Sequence, residues 1–144
     1  MRIAARWGSI GGTFLAAGLL AAVCAGCAEP GGKFVAATSA AEFDQMVSKA
    51  RQPVLVAFYR NGCPACMMIG TTLTSLSEEY DGKAVFVKVE RSVADVRRSF
   101  YVTGYPTVVL LLDGKEYARW LAEDSKDVYR QTIDRALAEK RVGP

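Results

Sequence analysis

Apolar positions along this chain recur with two periods, and the switches between them outline a series of short elements. Val54-Leu55-Val56-Ala57-Phe58-Tyr59 runs without alternation after Pro53, as expected of a strand buried on both faces in the middle of a sheet. Before it, Lys33 to Ala37 is a short apolar run fit for a first strand. Ser39-x-x-Glu42 is a capping box opening a helix whose Phe43, Met46, Val47 and Ala50 share one face. After it, Met68, Ile69, Leu73, Leu76 and Tyr80 recur at helical spacing, which predicts a helix from about Pro64 to Tyr80 stopped at Asp81-Gly82. Ala84 to Glu90 reads as the next strand, and Ser92-x-x-Asp95 as the cap of a short helix through Phe100. Thr107 to Leu112 and Glu116 to Leu121 read as a hairpin turning at Asp113-Gly114. Ser125 is placed to cap a last helix with Val128, Ile133, Ala136 and Leu137 on its apolar stripe. The alternation of strands and helices describes a small three-layer α/β domain, and no internal repeat interrupts it.

Composition narrows the chemistry more than the fold. A chain of 144 residues with 51% hydrophobic content can bury one core without disulfide staples. The formal charge of +3 falls by two if Arg2 and Arg6 are removed, which leaves no electrostatic footprint for nucleic acid. There is no histidine, so His general bases, Cys/His zinc sites and His-ligated haem or copper are excluded together. Phe58, Phe86, Met68 and Phe100 read as core, Trp120 as packing on the last strand pair, and Arg97 and Arg98 as a solvated helix face.

The first 28 residues change where the domain is expected to work. Arg2 and Arg6 precede 22 uncharged residues, Trp7 to Ala28, rich in Ala, Leu and Gly, which is a secretory signal pattern. Its end, Val23-Cys24-Ala25-Gly26-Cys27, resembles a bacterial lipobox with Cys27 as the lipidated residue, since Gly26 is small where Val23 before Cys24 is branched. Cys24 stands where that motif usually has leucine. Plain cleavage without a lipid and an uncleaved membrane helix are the competing readings, and all three put the domain outside the cytoplasm. Residues 1–27 are thus expected as signal peptide, 28–33 as a flexible tether around Glu29-Pro30-Gly31-Gly32, and 34–140 as the working domain.

The remaining cysteines carry the chemistry. Cys63-Pro64-Ala65-Cys66 falls at the switch from strand to helix. Pro64 suits a first helical turn, where a missing N–H costs nothing. Cys63 would then sit at the helix N-terminus, where unpaired N–H groups and the helix dipole favour a thiolate, the form that attacks disulfides. Cys66, three residues on, shares its face and can resolve the mixed disulfide. A structural disulfide closing so short a loop would add little stability. Two thiolates with no histidine and no further Cys pair in the working domain cannot complete a zinc shell, and Met67 after Cys66 rules out a haem-attachment motif.

In their order along the chain, Pro53-Val54-Leu55-Val56-Ala57-Phe58, the Cys63-Pro64-Ala65-Cys66 pair, Lys88, Tyr105-Pro106-Thr107 and Asp113-Gly114 resemble the thioredoxin family over about Lys33 to Ala138. The resemblance implies a three-layer thioredoxin fold, with a central mixed sheet of four to five strands flanked by helices. It implies a thiol-disulfide oxidoreductase without cofactor or metal, acting as a monomer on cysteine-containing protein substrates. Pro106 is implied to be a cis proline facing the cysteines, with Tyr105 lending backbone groups to an extended substrate and Gly62 and Pro64 flanking Cys63. Two departures stand out. Ala57 occupies the place of a buried acid that is read as the proton acceptor for the resolving cysteine, so Lys88 loses its partner and is left to reach solvent or to favour the thiolate electrostatically. Gly62 stands where tryptophan often precedes the first cysteine. The domain lacks the helical insertion of the oxidant DsbA, and an anchor suits electron receipt from a membrane conduit of the DsbD or CcdA type, so a reductase is expected. An oxidant or isomerase, or a binding module with a structural Cys63–Cys66 bridge, are the alternatives.

Overall fold

The computed structural model describes residues 34–142, and the expectations for the signal peptide, Cys27 and the tether lie outside them. The elements are β1 (Val35–Ala37), α1 (Ala40–Lys49), β2 (Val54–Tyr59), α2 (Pro64–Glu79), β3 (Val85–Glu90), α3 (Ala94–Ser99), β4 (Thr107–Leu112), β5 (Lys115–Leu121) and α4 (Lys126–Val142). They form one five-stranded mixed sheet of order β1-β3-β2-β4-β5. β1, β3 and β2 run parallel, and β4 pairs antiparallel with both β2 and β5.

β2 shows why its sequence lacks alternation. Leu55 and Ala57 point into a layer closed by α2 and α4, among Leu73, Leu76, Phe86 and Ile133. Val54, Val56 and Phe58 point into the opposite layer, among Phe43, Val87, Val96 and Val109. Both faces are dry, so every position is apolar. Phe100 is half-buried at the edge of the second layer, its ring 5.6 Å from Phe43 and 5.4 Å from Phe58. Trp120 meets Tyr129 of α4 edge-on at 5.0 Å.

The caps divide into one that forms and one that does not. Ser39 is the N-cap of α1 and accepts from the Glu42 N–H at 3.2 Å, while the Glu42 carboxylate reaches back to the Thr38 N–H at 2.8 Å. At α3 the N-cap is Val93, with no side-chain cap bond, so the expected Ser92-x-x-Asp95 cap is not made. The cause lies two residues before Ser92. Glu90, at the end of β3, takes the Ser92 N–H at 2.6 Å and pulls Ser92 into its own turn, while Asp95 pairs with Arg98.

Two further assignments are corrected. Met68 is 61% exposed because the buried stripe of α2 is Cys66, Ile69, Leu73 and Leu76, and a helical step of about 100° per residue turns Met68 away from Ile69. In α4 the buried stripe includes Tyr129, which belongs with Ile133 and Ala136, whereas Val128 is only half-buried. The hairpin turn is as expected: Asp113 and Gly114 have φ of 51° and 74°, the left-handed pair of a type I′ turn.

Candidate active site

β2 brings the chain to the edge of the sheet, and Arg60-Asn61-Gly62 turns it into α2. Gly62 has φ 71°. A Cβ built there would meet nothing within 4 Å, so glycine answers to the backbone conformation and not to crowding. Cys63 is the N-cap of α2 and Pro64 begins the helix, and the Cys63 sulfur accepts from one N–H of the first turn. The Cys66 N–H lies 3.2 Å from Cys63 Sγ. Cys63 and Cys66 are joined as a disulfide with their Cα atoms 5.2 Å apart. Both are largely buried, at 5% and 9% exposure. In the dithiol form the same N–H and the helix dipole favour the Cys63 thiolate over the thiol.

A groove of about 610 Å³ runs beside the pair and is lined in part by Phe34, Ala57, Cys66, Met67, Lys88 and Pro106. The Tyr105–Pro106 peptide is cis, and buried Pro106 lies on the same groove as Cys66. Its loop is fixed by Thr107 Oγ1 donating to the Gly104 carbonyl at 2.8 Å and by the Ala122 N–H donating to the Pro106 carbonyl at 2.9 Å. Tyr105 turns its ring into the α1/α3 layer, where its hydroxyl is enclosed without a partner among the described residues. Only its backbone is then left for a ligand at the groove.

Lys88 pairs with Ala57 in the β2/β3 register and shares the groove with Cys66. Its ammonium sits 5.7 Å from the centroid of the Phe34 ring, close enough for a cation–π contact. No carboxylate pairs with it among the described residues. Of the expected site residues, Cys66, Lys88 and Pro106 thus meet on one groove, and Gly62 and Pro64 flank Cys63 exposed to solvent. The sequence reading passed over two participants. Met67 is 68% exposed on the rim next to Cys66, and Phe34 receives the Lys88 charge. Phe34 had a signal in principle, being an aromatic at the mouth of the first strand.

Far from the cysteines, α2 is tied to α4. Arg130 grips the Glu79 carboxylate at 2.7 and 3.0 Å, Lys126 joins at 3.1 Å, and the Tyr80 hydroxyl donates to Asp134 at 2.8 Å. The Arg130 hydrogen bond, then the one from Lys126, holds the Glu79 carboxyl down to about 2. Among the described residues no group of three or more Cys, Asp or Glu side chains is placed to hold a metal ion, and no helix is long and apolar enough to cross a membrane.

Comparison with known proteins follows the same outline. The family profile described as Thioredoxin matches residues 34–135. A thioredoxin of Pseudomonas aeruginosa is 33% identical over 95 residues, covering 65% of this chain and 88% of that protein. The chloroplastic Thioredoxin X of Arabidopsis thaliana is 37% identical over 76 residues, 52% of this chain but 42% of that longer protein. The crystal structure of thioredoxin NaTrxh from Nicotiana alata superposes with a TM-score of 0.65 at 26% identity, covering 72% of this chain and 93% of that one.

Proposed function

The chain belongs to the thioredoxin family and is a thiol-disulfide oxidoreductase, and from that premise we propose a disulfide reductase that works outside the cytoplasm, tethered to a membrane through a lipid on Cys27. The observation that carries the catalytic part is the Cys63–Cys66 disulfide at the start of α2, with a backbone N–H on the Cys63 sulfur. In the dithiol form the Cys63 thiolate attacks a substrate disulfide, one substrate sulfur leaves as a thiolate and takes up a proton, and a mixed disulfide forms. Cys66 then loses its proton and attacks Cys63 Sγ. The second substrate thiol leaves and the internal disulfide returns.

Pro106 and the backbone of Tyr105 hold the extended substrate beside the pair, with Gly62 and Pro64 forming the exposed lip around Cys63. Lys88 acts on Cys66 through its charge. Substrates are cysteine-containing proteins, and the dithiol is restored by a membrane electron donor of the DsbD or CcdA type. Support for the location comes from Arg2, Arg6, the uncharged run and Gly26-Cys27.

Cys66→Ser expressed in the native host tests the catalytic reading. Cys63 is expected to accumulate as mixed disulfides with partner proteins, identified by mass spectrometry. A variant that retains no cysteine-linked partner removes the oxidoreductase role from this pair. Labelled fatty acid carried by the wild type and missing from Cys27→Ala tests the anchor separately.

A further inference from the structure

The reductase reading leaves the chemical class of substrate open, and the charges around Cys63 bear on it. β2 and β3 end side by side, with Tyr59 in register with Glu90. The next residues in each strand direction are Arg60 and Arg91, and the Arg91 N–H donates to the Tyr59 carbonyl at 2.9 Å, locking the two exits together. Both arginines are exposed. Neither takes part in any of the ion pairs among the described residues. Arg60 is three residues before Cys63 in the same turn, so two exposed arginines outside these ion pairs follow the paired strand ends from which the cysteine turn departs.

The carboxylates of this end of the sheet offset them only in part. Glu90 accepts the Ser92 N–H and is held below the ordinary carboxylate range first by the hydroxyl and then by the N–H of Ser92, with Arg91 a lesser cause, so it stays ionised and offsets part of the Arg91 charge. Asp95 is committed to Arg98. Glu123 accepts from the Ser125 N–H at 2.9 Å and, with Asp124, follows β5. β5 pairs with β4 beyond β2 in the sheet order, so these acids lie on the opposite side of the cysteines from Arg91. Lys88 opens on the groove at Cys66, and Arg97 has its Nε enclosed. The rim is therefore polarised, basic toward β3 and acidic beyond β5.

We propose that Arg60 and Arg91 make this protein select disulfides carried on acidic polypeptide segments, with the substrate's carboxylates lying over the exits of β2 and β3. The selection rests on the reductase reading of Cys63. Rim charges of this kind act chiefly on encounter rate and lose their effect as salt rises. Guanidinium groups add paired N–H donors matched to carboxylates.

The test uses three disulfide peptides of equal length, flanked by Asp/Glu, by Lys/Arg or by neutral residues, and measures kcat/KM for reduction by the full chain at low and high salt. The acidic peptide is expected to exceed the basic one by about tenfold at low salt, with the ratio falling toward unity at high salt. Arg60→Glu/Arg91→Glu should reverse the order, and Arg60→Gln/Arg91→Gln should level it. Equal rates for acidic and basic peptides in the wild type, or an order that persists in both double variants, overturn the proposal. Reduction of the neutral peptide by the wild type shows in either case that the reductase reading stands. Failure to reduce any of the three brings down both.

Discussion

Ala57 gives the resolving step its particular character. It lines the groove with Cys66, it is 5% exposed, and its neighbour in register is Lys88. With a methyl group there, the position in register with Lys88 offers Cys66 no carboxylate to take its proton. Ala57→Asp would place an acid next to both groups. The resolving step should then run about tenfold faster near neutral pH, a modest yield for an added general base, read by quenched-flow trapping of the mixed disulfide. The same change should lower stability by about 1–3 kcal/mol, the penalty for burying a polar group with incomplete compensation. At Gly62 the cost has another origin: φ 71° with open space around a Cβ makes Gly62→Ala a purely conformational change, expected to lower stability by about 1 kcal/mol in urea unfolding. The cysteines were legible in the sequence from their spacing at a strand-to-helix switch, whereas Pro106 and Lys88 came through resemblance to the family. Met67 and Met68 were not, since an apolar side chain at the edge of a helical stripe looks the same whether it faces the core or a partner.

Among the elements, α2 carries the site at one end and a clamp at the other. Glu79, held down to about 2 by Arg130 and Lys126, is depressed from the usual 4.5. Its contribution to stability is therefore present above about 4.5 and is lost as pH falls toward 2. Glu79→Gln should flatten the acid limb of a pH–stability curve over that window, measured by thermal unfolding, and leave the neutral limb's shape intact. The caps at α1 and α3 show where motif reading holds and where it stops. Ser39→Ala should cost about 1 kcal/mol, because the Ser39 bond to Glu42 is made. The same four-residue pattern at Ser92 fails, because a motif does not reveal that the preceding strand ends in a glutamate able to take the N–H first. Tyr129 escaped for a related reason. Its ring belongs to the α4 stripe, but its hydroxyl, donating to the Glu123 carbonyl at 2.5 Å, is the polar feature that disguises it.

For the molecule as a whole, the order of strands in the chain and the unbroken apolar run of β2 were enough to fix a sheet covered on both faces. The β4/β5 pairing was readable from the Asp113-Gly114 turn, but the order of the remaining strands was not readable from periodicity and appears only in the fold. One feature of that sheet bears on how an anchored domain would hang. β1 runs parallel to β3, and β3 ends beside the cysteines, so the chain enters β1 travelling toward the site from Phe34, partway along the groove that reaches Cys66. A tether of residues 28–33 reaches at most about 20 Å when fully extended. With the tether taut, Cys63 would face away from the bilayer, open to substrates in the surrounding fluid. If the domain is anchored as proposed, it would have to capsize to meet a donor embedded in the membrane. Deleting residues from this leash should therefore separate two half-reactions: reduction of dissolved substrates by pre-reduced protein would persist, while recharging in intact membranes would fall. Thiol trapping of the two redox states in cells carrying tethers of graded length would measure that division, and equal recharging at every length would show that the swing is not needed.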